Sequence, residues 1–237
     1  MQIPVIIQAR MDSKRLPGKM MLEVNDKPIL AHVIERLQCS KIIDTIIVAT
    51  SKQDEDGAIA DYCAGCGIEC FRGDLNNVAL RFKDIITYKK FEYFIRICAD
   101  SPLIDYKIIE QAVGVFKDSN YDVVTNTMER TFPKGQSVEI VKTKVFLKAY
   151  ENMQDALDFE HVTRYFYQNA DMFNIFNIRA AVGDYSHIRL SVDTYEDFIM
   201  FKHIIKVMKM PLESYRWLDV VKIYLNIHDK LHSGVNI

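Results

Sequence analysis

Short apolar segments alternate with amphipathic ones through the first half of the chain. In the amphipathic segments apolar residues recur every three or four positions, as expected for helices. Strands that alternate with helices indicate an α/β fold with a mostly parallel central sheet flanked by helices. The predicted strands cover residues 5–8, 45–50, 68–71, 93–98 and 121–125, and the predicted helices cover 28–38, 55–64, 77–88 and 106–117.

The pattern changes after residue 125. Shorter predicted strands are interleaved with helices there, and the chain ends in two helical segments. With 237 residues the chain is long enough for one substantial core, so we predict a single domain in three parts, 1–125, 126–200 and 201–237. The predicted strands of the later parts are 137–141, 173–178 and 187–191, and the predicted helices are 143–152, 160–169, 195–208 and 214–228.

A basic loop follows the first predicted strand. It reads Arg10-Met-Asp-Ser-Lys-Arg-Leu-Pro-Gly-Lys19 and places four cations within ten residues. Ligands of open parallel sheets bind beyond the carboxyl ends of the strands, and loops that lead into helices commonly hold phosphate. Arginine binds phosphate oxygens through a planar fork, and lysine supplies a compact charge. A solvated charge run is the alternative, but the position directly after an apolar strand favours anion binding.

Composition and spacing narrow the class of function. The loop has neither the Walker spacing nor the dinucleotide-binding spacing. A net charge of −2 gives no overall field that would attract nucleic acid or an acidic membrane. The first residues lack a secretory pattern, and no run approaches the roughly 18 apolar residues of a membrane-spanning helix. We therefore expect a cytoplasmic protein that binds neither nucleic acid nor membrane.

The cysteines allow two interpretations. Five cysteines, an odd number, fit a reduced compartment better than a disulfide framework. The spacing Cys63-x-x-Cys66-x-x-x-Cys70 would suit zinc or an iron–sulfur cluster, but a fourth ligand is missing nearby. Buried structural thiols are therefore favoured.

The basic loop and several later motifs resemble those of the cytidylyltransferases that activate acidic sugars. The loop is similar to the nucleotide loop of CMP-sugar-acid synthetases, most closely in their spore-coat polysaccharide branch. The resemblance implies a Rossmann-like nucleotide-diphospho-sugar transferase fold. It also implies transfer of CMP from CTP to an acidic sugar or related polyhydroxy acceptor, with release of pyrophosphate, in surface polysaccharide or glycan biosynthesis. The motifs run in family order over about residues 2–200 and include Gln8 to Lys19, Phe71-Arg-Gly73, Asn76 to Arg81, Arg96 to Asp105, Thr131 to Gly135, Glu160-His161-Val-Thr163 and Arg189 to Thr194.

The resemblance assigns nucleotide binding to the first part of the chain. Gln8 and Ala9 are expected at the base and ribose, with Arg72 and Gly73 on the far side, where Gly73 would let the main chain approach a flat ring. A plain surface arginine is the alternative for Arg72. Arg81 is expected either to reach the nucleotide or to pair with an acid. The predicted nucleotide-binding set is Gln8, Ala9, Arg10, Ser13, Lys19, Arg72, Gly73 and Arg81, and the predicted catalytic set is Arg10, Arg15, Lys19 and Asp100.

Two aspartates are predicted to bind Mg²⁺. Asp100 and Asp193 each follow a predicted strand and match the acids that hold the metal in the resembling family. Magnesium prefers carboxylate oxygens and is commonly shared between one or two protein acids and substrate phosphates. A turn or helix-capping role is the alternative for both. Asp105 and Asp197 are interpreted as structural residues at helix starts.

The acceptor is assigned to residues 126–200. Lys134 or Arg164 would supply the cation that an acidic acceptor needs. His161 is interpreted as a pocket residue, with a buried hydrogen-bonded histidine as the alternative. No dedicated general base is required, because a metal-polarised hydroxyl can attack without one. The predicted acceptor-binding set is Lys134, Glu139, Glu160, His161 and Arg164.

Three other functions remain open at this point. A sugar-1-phosphate nucleotidyltransferase using another nucleoside triphosphate would have the same fold and would also use its first loop, but that loop is usually richer in glycine. A glycosyltransferase that consumes a nucleotide sugar would carry a paired Asp-x-Asp, which the segment after Asp100 lacks. A nucleotide-sensing subunit would bind without releasing pyrophosphate. Because related enzymes commonly pair through their second halves, we also expect a homodimer.

Overall fold

A sheet of seven strands forms the centre of the protein in the computed structural model, which describes residues 3–233. The strands in chain order are β1 (Pro4–Gln8), β2 (Glu23–Val24), β3 (Lys27–Pro28), β4 (Thr45–Ser51), β5 (Glu69–Gly73), β6 (Tyr93–Cys98), β7 (Val123–Thr125), β8 (Glu139–Lys142) and β9 (Ile175–Asn177). The sheet order is β5-β4-β1-β6-β8-β7-β9, while β2 and β3 form a separate two-stranded ladder. Only β8 is antiparallel to its neighbours in the described sheet. The predicted mostly parallel α/β fold is confirmed.

Helices cover both faces of this sheet. In β1, Val5 and Ile7 point to the face covered by α1 and α4, whereas Ile6 points to the face covered by α3 and α5. All three side chains are fully buried, as expected for a central parallel strand. The helices are α1 (Ile29–Gln38), α2 (Gly57–Gly65), α3 (Val78–Lys89), α4 (Tyr106–Lys117), α5 (Thr143–Asn152), α6 (Ala156–His161), α7 (Arg164–Gln168), α8 (Tyr195–Val207) and α9 (Trp217–His232).

Residues 1–125, assigned to the nucleotide, and residues 126–200, assigned to the acceptor, meet at one edge of the sheet. β1, β4 and β6 are parallel, so their carboxyl ends lie together. Because β8 is antiparallel, its first residue reaches the same edge, where Glu139 pairs with Arg96 of β6 and Thr125 of β7. The part of the chain assigned to the acceptor thus contributes a strand beside the strands assigned to the nucleotide.

Capping explains the two aspartates that were predicted to be structural. The Asp105 carboxylate accepts a hydrogen bond from the Lys107 amide at 2.9 Å, which caps α4. At the start of α8, the Thr194 and Asp197 side chains and backbones form a reciprocal capping box. Both structural predictions are confirmed, and the capping role considered for Asp193 is filled by Thr194.

Two element predictions in the second half are wrong. The predicted helix 160–169 is divided into α6 and α7, which are separated by Val162 with φ 51°. The predicted strand 187–191 forms a single bridge, between Arg189 and Lys134. This segment connects to residues 134–135 instead of joining the sheet, so its apolar side chains enter a third core cluster with α8 and α9.

Gly135 permits that close connection. Its φ is +95°, and a Cβ placed there would lie 2.6 Å from the Ser191 amide nitrogen and 2.7 Å from the Leu190 carbonyl carbon. A side chain at this position would therefore be strained by its own backbone and would clash with neighbouring backbone. The neighbouring Leu190 amide donates to the Lys134 carbonyl at 2.7 Å. Gly135 thus lets the segment that leads to Asp193 pack against the loop before β8.

Candidate active site

A cleft of about 440 Å³ opens at the carboxyl ends of β1 and β6. The basic loop after β1 forms one side, and the end of α6 forms another. This is the edge at which open parallel sheets bind ligands. The predicted site residues that line the cleft are Gln8, Ala9, Arg10, Ser13, Arg15, Lys19, Arg81, Asp100, Glu160, His161 and Asp193.

Lys19 lies between the two aspartates that were predicted to bind metal. Its Nζ is 2.9 Å from Asp193 Oδ1 and 3.5 Å from Asp100 Oδ2, and it donates to the Val192 carbonyl at 2.9 Å. The lysine is only 8% exposed, and a buried ammonium requires such partners. The fold therefore places both carboxylates around a single point of positive charge.

Asp193 contacts three cations. Besides Lys19, its Oδ1 is 3.2 Å from Arg15 NH2 and its Oδ2 is 2.8 Å from Arg189 NH1. Burial alone would raise the pKa of Asp193, but hydrogen bonding and charge from Lys19, with the charges of both arginines, outweigh it and hold the pKa below its usual value. The carboxylate is therefore ionised at neutral pH.

Arg10 connects the basic loop to α6. Its NH2 is 3.0 Å from Glu160 Oε1, and both side chains are 37% exposed. The adjacent His161 also lines the cleft. Because this ion pair is accessible to solvent, it contributes little stability and can be exchanged for contacts with a bound anion.

A buried polar network lies beneath the cleft. Arg96 donates to the Gln8 side-chain oxygen from Nε at 3.2 Å and from NH2 at 3.0 Å, and its NH1 pairs with Glu139 Oε2. Glu139 Oε1 in turn accepts from the Thr163 hydroxyl at 2.6 Å and from the Tyr167 hydroxyl. We call these five residues the Glu139 network; it connects β1 and β6 with β8 and the segment around α7.

The Glu139 network keeps its carboxylate charged. Burial alone would raise the pKa of Glu139, but the charge of Arg96 and the hydrogen bonds from Thr163 and Tyr167 lower it below its usual value. Glu139 is 3% exposed and does not line the cleft. The residue predicted to bind the acceptor is therefore placed behind the cleft wall.

The break between α6 and α7 belongs to the same network. The Thr163 amide donates to the His161 carbonyl, and Val162 has φ 51° and ψ −55°. These values describe a γ-turn, a strained conformation for a β-branched residue. Tertiary contacts must hold such a turn, and the Thr163 hydroxyl bond to Glu139 is one of them. The turn ends α6 at His161, beside the cleft.

Arg72 and Gly73, which were predicted on the far side of the base, do not line the cleft. Arg72 donates to the Ser51 and Gln53 carbonyls at 3.0 and 2.7 Å and does not line the cleft. A Cβ at Gly73 would lie 2.8 Å from Arg81 Cγ, so the space beside this glycine is filled by that side chain.

Arg81 uses its guanidinium on backbone carbonyls. It donates to Asp74, Leu75 and Ala49 at 2.6, 2.9 and 3.2 Å and is fully buried. Burial lowers its pKa to about 10, so the side chain remains charged at neutral pH. Arg81 therefore fixes the loop after β5 while it contributes to the wall of the cleft.

Neither cation predicted for the acceptor lies in the cleft. Lys134 is exposed and meets residues 188–190 through its backbone. Arg164 NH1 is 3.1 Å from Asp155 Oδ2 and 2.5 Å from Asp158 Oδ1. These acids of the α6 region therefore already balance the Arg164 charge.

Sequence reasoning missed several residues at this site. Asp12 and Cys98 line the cleft, and Arg96 organises the network beneath it. Lys14 also lines the cleft; it was counted among the four loop cations but was not included in the predicted sets. The signal for Arg96 was its charge within an otherwise apolar strand, where an arginine requires buried partners. Nothing in the sequence pattern distinguished Asp12 from a solvated loop residue.

The structure also shows the environments of the cysteines and the kinds of metal-ligand group and helix that the described residues form. In the described range 3–233, no group of three or more His, Cys, Asp or Glu side chains is arranged to hold a metal ion. Cys63 is buried, Cys70 is partly buried, and Cys66 is exposed, so the prediction of buried thiols is wrong for Cys66. Among the same residues, no helix combines the length and apolar character needed to span a bilayer.

Comparison with known proteins agrees with this architecture. A family model described as Cytidylyltransferase matches residues 4–229. A solved structure of a cytidylyltransferase from Leptospira borgpetersenii serovar Hardjo-bovis aligns with a TM-score of 0.91 at 29% identity, covering 97% of this chain and 96% of that one.

Three relatives cover most of the chain. An uncharacterized protein of Methanocaldococcus jannaschii is 35% identical over 209 residues, which are 87% of this chain and 84% of that protein. The spore coat polysaccharide biosynthesis protein SpsF of Bacillus subtilis is 28% identical over 206 residues, with 83% of each chain covered. The 3-deoxy-manno-octulosonate cytidylyltransferase of Francisella tularensis subsp. holarctica is 26% identical over 230 residues, with coverage of 94% and 86%. The chain belongs to the cytidylyltransferase family and is a nucleotidyltransferase, as the motifs predicted.

Proposed function

We propose that this enzyme transfers CMP from CTP to an acidic sugar or related polyhydroxy acceptor and releases pyrophosphate. The observation that carries the proposal is the cleft in which the cations of one loop meet Asp100 and Asp193. Family membership supports the nucleotide, and the relatives named for 3-deoxy-manno-octulosonate and spore coat polysaccharide support an acceptor of this class. The product would be an activated donor for surface polysaccharide or glycan synthesis.

The basic loop would bind the triphosphate by exchanging partners. In the free protein Arg10 pairs with Glu160, and Arg15 and Lys19 pair with Asp193. Phosphate oxygens are stronger partners for these cations because arginine can hold them through two parallel donors. Binding of the nucleotide would therefore release the carboxylates that the loop cations now neutralise.

Asp100 and Asp193 fit a magnesium ion that is shared with the nucleotide. Their carboxylates already surround one positive charge, the Lys19 ammonium, at 3.5 and 2.9 Å. Two acids without a third ligand match the preference of Mg²⁺ for one or two protein carboxylates beside phosphate oxygens and water. When bound, the ion would supply charge neutralisation at the phosphates and polarise the acceptor hydroxyl.

The chain's own residues would position an in-line displacement. A bond forms between the acceptor oxygen and the α-phosphorus, and the bond from that phosphorus to the bridging oxygen breaks as pyrophosphate leaves. Arg10, Arg15 and Lys19 would neutralise the charge that grows on the departing phosphates. Gln8 and Ala9 line the same cleft at the end of β1 and would contact the nucleoside, while Glu160 and His161 face the remaining space, where the acceptor would bind.

A pyrophosphate-release screen tests this proposal. The four common nucleoside triphosphates would be assayed against a panel of octulosonic and nonulosonic acids and neutral sugars, with and without Mg²⁺. We expect release only with CTP, an acid and the metal together. Asp100→Asn should be inactive but folded. Turnover with another triphosphate, or with neutral sugars only, would refute the assigned nucleotide or the assigned acceptor respectively.

A further inference from the structure

The side-chain amide of Gln8 is held in one orientation at the edge of the cleft. Gln8 is the last residue of β1, and it receives two hydrogen bonds from Arg96 of the neighbouring β6. Arg96 donates to Gln8 Oε1 from Nε at 3.2 Å and from NH2 at 3.0 Å. A guanidinium has donors and no acceptor, so only the amide oxygen can face it. The contact with Arg96 therefore turns the amide nitrogen of Gln8 to the other side.

That amide nitrogen is an available donor in the cleft. Within residues 3–233, Gln8 Nε2 makes no hydrogen bond, and it is not among the unpartnered atoms that the fold closes to solvent. Gln8 is partly exposed and lines the cleft. A bound molecule with a hydrogen-bond acceptor at this position would therefore satisfy Nε2.

Arg96 is itself fixed by a carboxylate. Its NH1 pairs with Glu139, and only 12% of the Arg96 side chain is exposed. Glu139 is held in turn by the hydroxyls of Thr163 and Tyr167. The guanidinium cannot turn away from Gln8 without disturbing a buried ion pair. The Glu139 network thus reaches the cleft through the bonds between Arg96 and Gln8.

The surroundings of Gln8 suit an uncharged part of the nucleotide. Its register partners are Ala49 on β4 and Cys98 on β6, and burial raises the pKa of the Cys98 thiol to about 11, so both are uncharged at neutral pH. The arginines on either side, Arg81 and Arg96, already donate to backbone carbonyls and to the Glu139 network. The cations proposed to bind phosphate belong to the loop after β1. Gln8 is therefore placed to contact the base.

We propose that Arg96 positions the Gln8 amide so that Nε2 donates to the ring nitrogen N3 of cytosine, and that this contact selects CTP over UTP. The inference rests on the proposed function and names the residues that distinguish the base. N3 of cytosine carries a lone pair, whereas N3 of uracil carries a hydrogen, so a fixed amide donor bonds to one and opposes the other. With uracil the donor would lose its partner, which penalises binding. Gln8 contacts the base, and Arg96 is a positioning residue that acts through Gln8.

Calorimetry with CTP and UTP tests this contact without any acceptor. We expect the original enzyme to bind CTP at least about 100-fold more tightly than UTP. Gln8→Met removes the donor, so the affinity for CTP should fall about 10- to 100-fold while that for UTP hardly changes. Gln8→Glu presents an acceptor to the base and should shift the preference further towards UTP. Its added charge weakens both triphosphates and cancels in the ratio of their affinities.

The double variant Arg96→Met/Glu139→Gln tests the positioning role. It removes Arg96 without leaving a charged carboxylate buried alone, so the protein should remain folded. The released Gln8 amide can turn its oxygen towards uracil, and the ratio of CTP to UTP affinity should fall at least about 10-fold, mainly because UTP binds better. A purely structural Arg96 would weaken both nucleotides equally; an unchanged ratio would overturn its positioning role.

Gln38 supplies the matched control. It is exposed at the end of α1 and does not line the cleft, so Gln38→Met and Gln38→Glu should keep both affinities. If the Gln8 variants lose CTP and UTP equally, as a contact with the O2 atom common to both bases would cause, the inference is refuted. Preferred binding of ATP or GTP would refute the proposed nucleotide and this inference with it. A preference for CTP that does not depend on Gln8 would refute this inference alone.

Discussion

Replacing Glu139 by glutamine tests whether this residue supports the fold or contacts the acceptor. The change keeps the shape of the side chain and removes its charge. Glutamine can accept from Arg96 and donate to the Thr163 and Tyr167 hydroxyls, which can rotate to accept. The lost quantity is therefore mainly the charge that compensates the buried Arg96.

The expected destabilisation is about 3 kcal/mol. Removing one member of a buried ion pair typically costs about 3–5 kcal/mol, and the lower end applies because Gln8 still accepts two bonds from Arg96. For a chain of 237 residues this corresponds to a fall of roughly 6–12 °C in melting temperature. Urea unfolding at neutral pH would give the free energy, with the slope against urea unchanged.

The double variant Arg96→Met/Glu139→Gln should lose less stability than the sum of its two single variants, because no charge is then left buried alone. Glu69→Gln is the control: its pair with Lys89 is at the surface, so the loss should stay below about 1 kcal/mol. A Glu139→Gln protein that is as stable as the original but has lost acceptor affinity would refute the structural role of this carboxylate.

Four more substitutions or titrations probe the site and the fold. Asp100→Asn should abolish Mg²⁺-dependent turnover while leaving the melting temperature within a few degrees, and an active variant would remove this acid from the site. Lys19→Ala should weaken CTP binding in calorimetry by about 10- to 100-fold through loss of a charged contact, whereas unchanged affinity would indicate a purely structural lysine. Gly135→Ala should lower the free energy of unfolding by more than about 2 kcal/mol, because its Cβ meets the backbone of residues 190–191; a neutral effect in urea unfolding would contradict the described turn. The folded-state pKa of Glu139 lies below its usual 4.5, so the stabilising effect of this carboxylate is complete above pH 4.5 and is lost as the pH falls below that value. Urea midpoints measured from pH 7 to 3 should show this loss of stability, and the loss should be smaller in Glu139→Gln.

Local sequence patterns predicted the first half of the fold well. The strands that became β1, β4 and β6 were evident because they are apolar on both faces, and the basic loop stood out by its position after β1. That loop and Asp100 therefore entered the predicted site together, and the structure brings them to one cleft. The strands and the position of the loop rest on short-range periodicity, which the sequence displays directly, whereas the role of Asp100 was implied by the resemblance to the cytidylyltransferases.

Contacts between distant segments explain what the sequence could not predict. The segment around Val162 contains no glycine or proline, and one of the contacts that hold its break is the hydrogen bond from Thr163 to Glu139 at the sheet edge. Arg164 looked available for an acidic ligand, but the fold supplies it with Asp155 and Asp158. Such partnerships depend on register and crossover geometry, so charge alone did not reveal which cations remain free.

The Glu139 network has a practical consequence for redesigning this enzyme. Its hydrogen bonds join Gln8, which is predicted to bind the nucleotide, to Thr163, which follows the predicted acceptor residues Glu160 and His161, through Arg96 and a single buried carboxylate. Transplanting the proposed acceptor wall from a homologue without its matching carboxylate and hydroxyl would disturb β1, at whose end the nucleotide is proposed to bind. Donor and acceptor preferences should therefore be exchanged as one unit, whereas the outer surface of α6 can be altered independently.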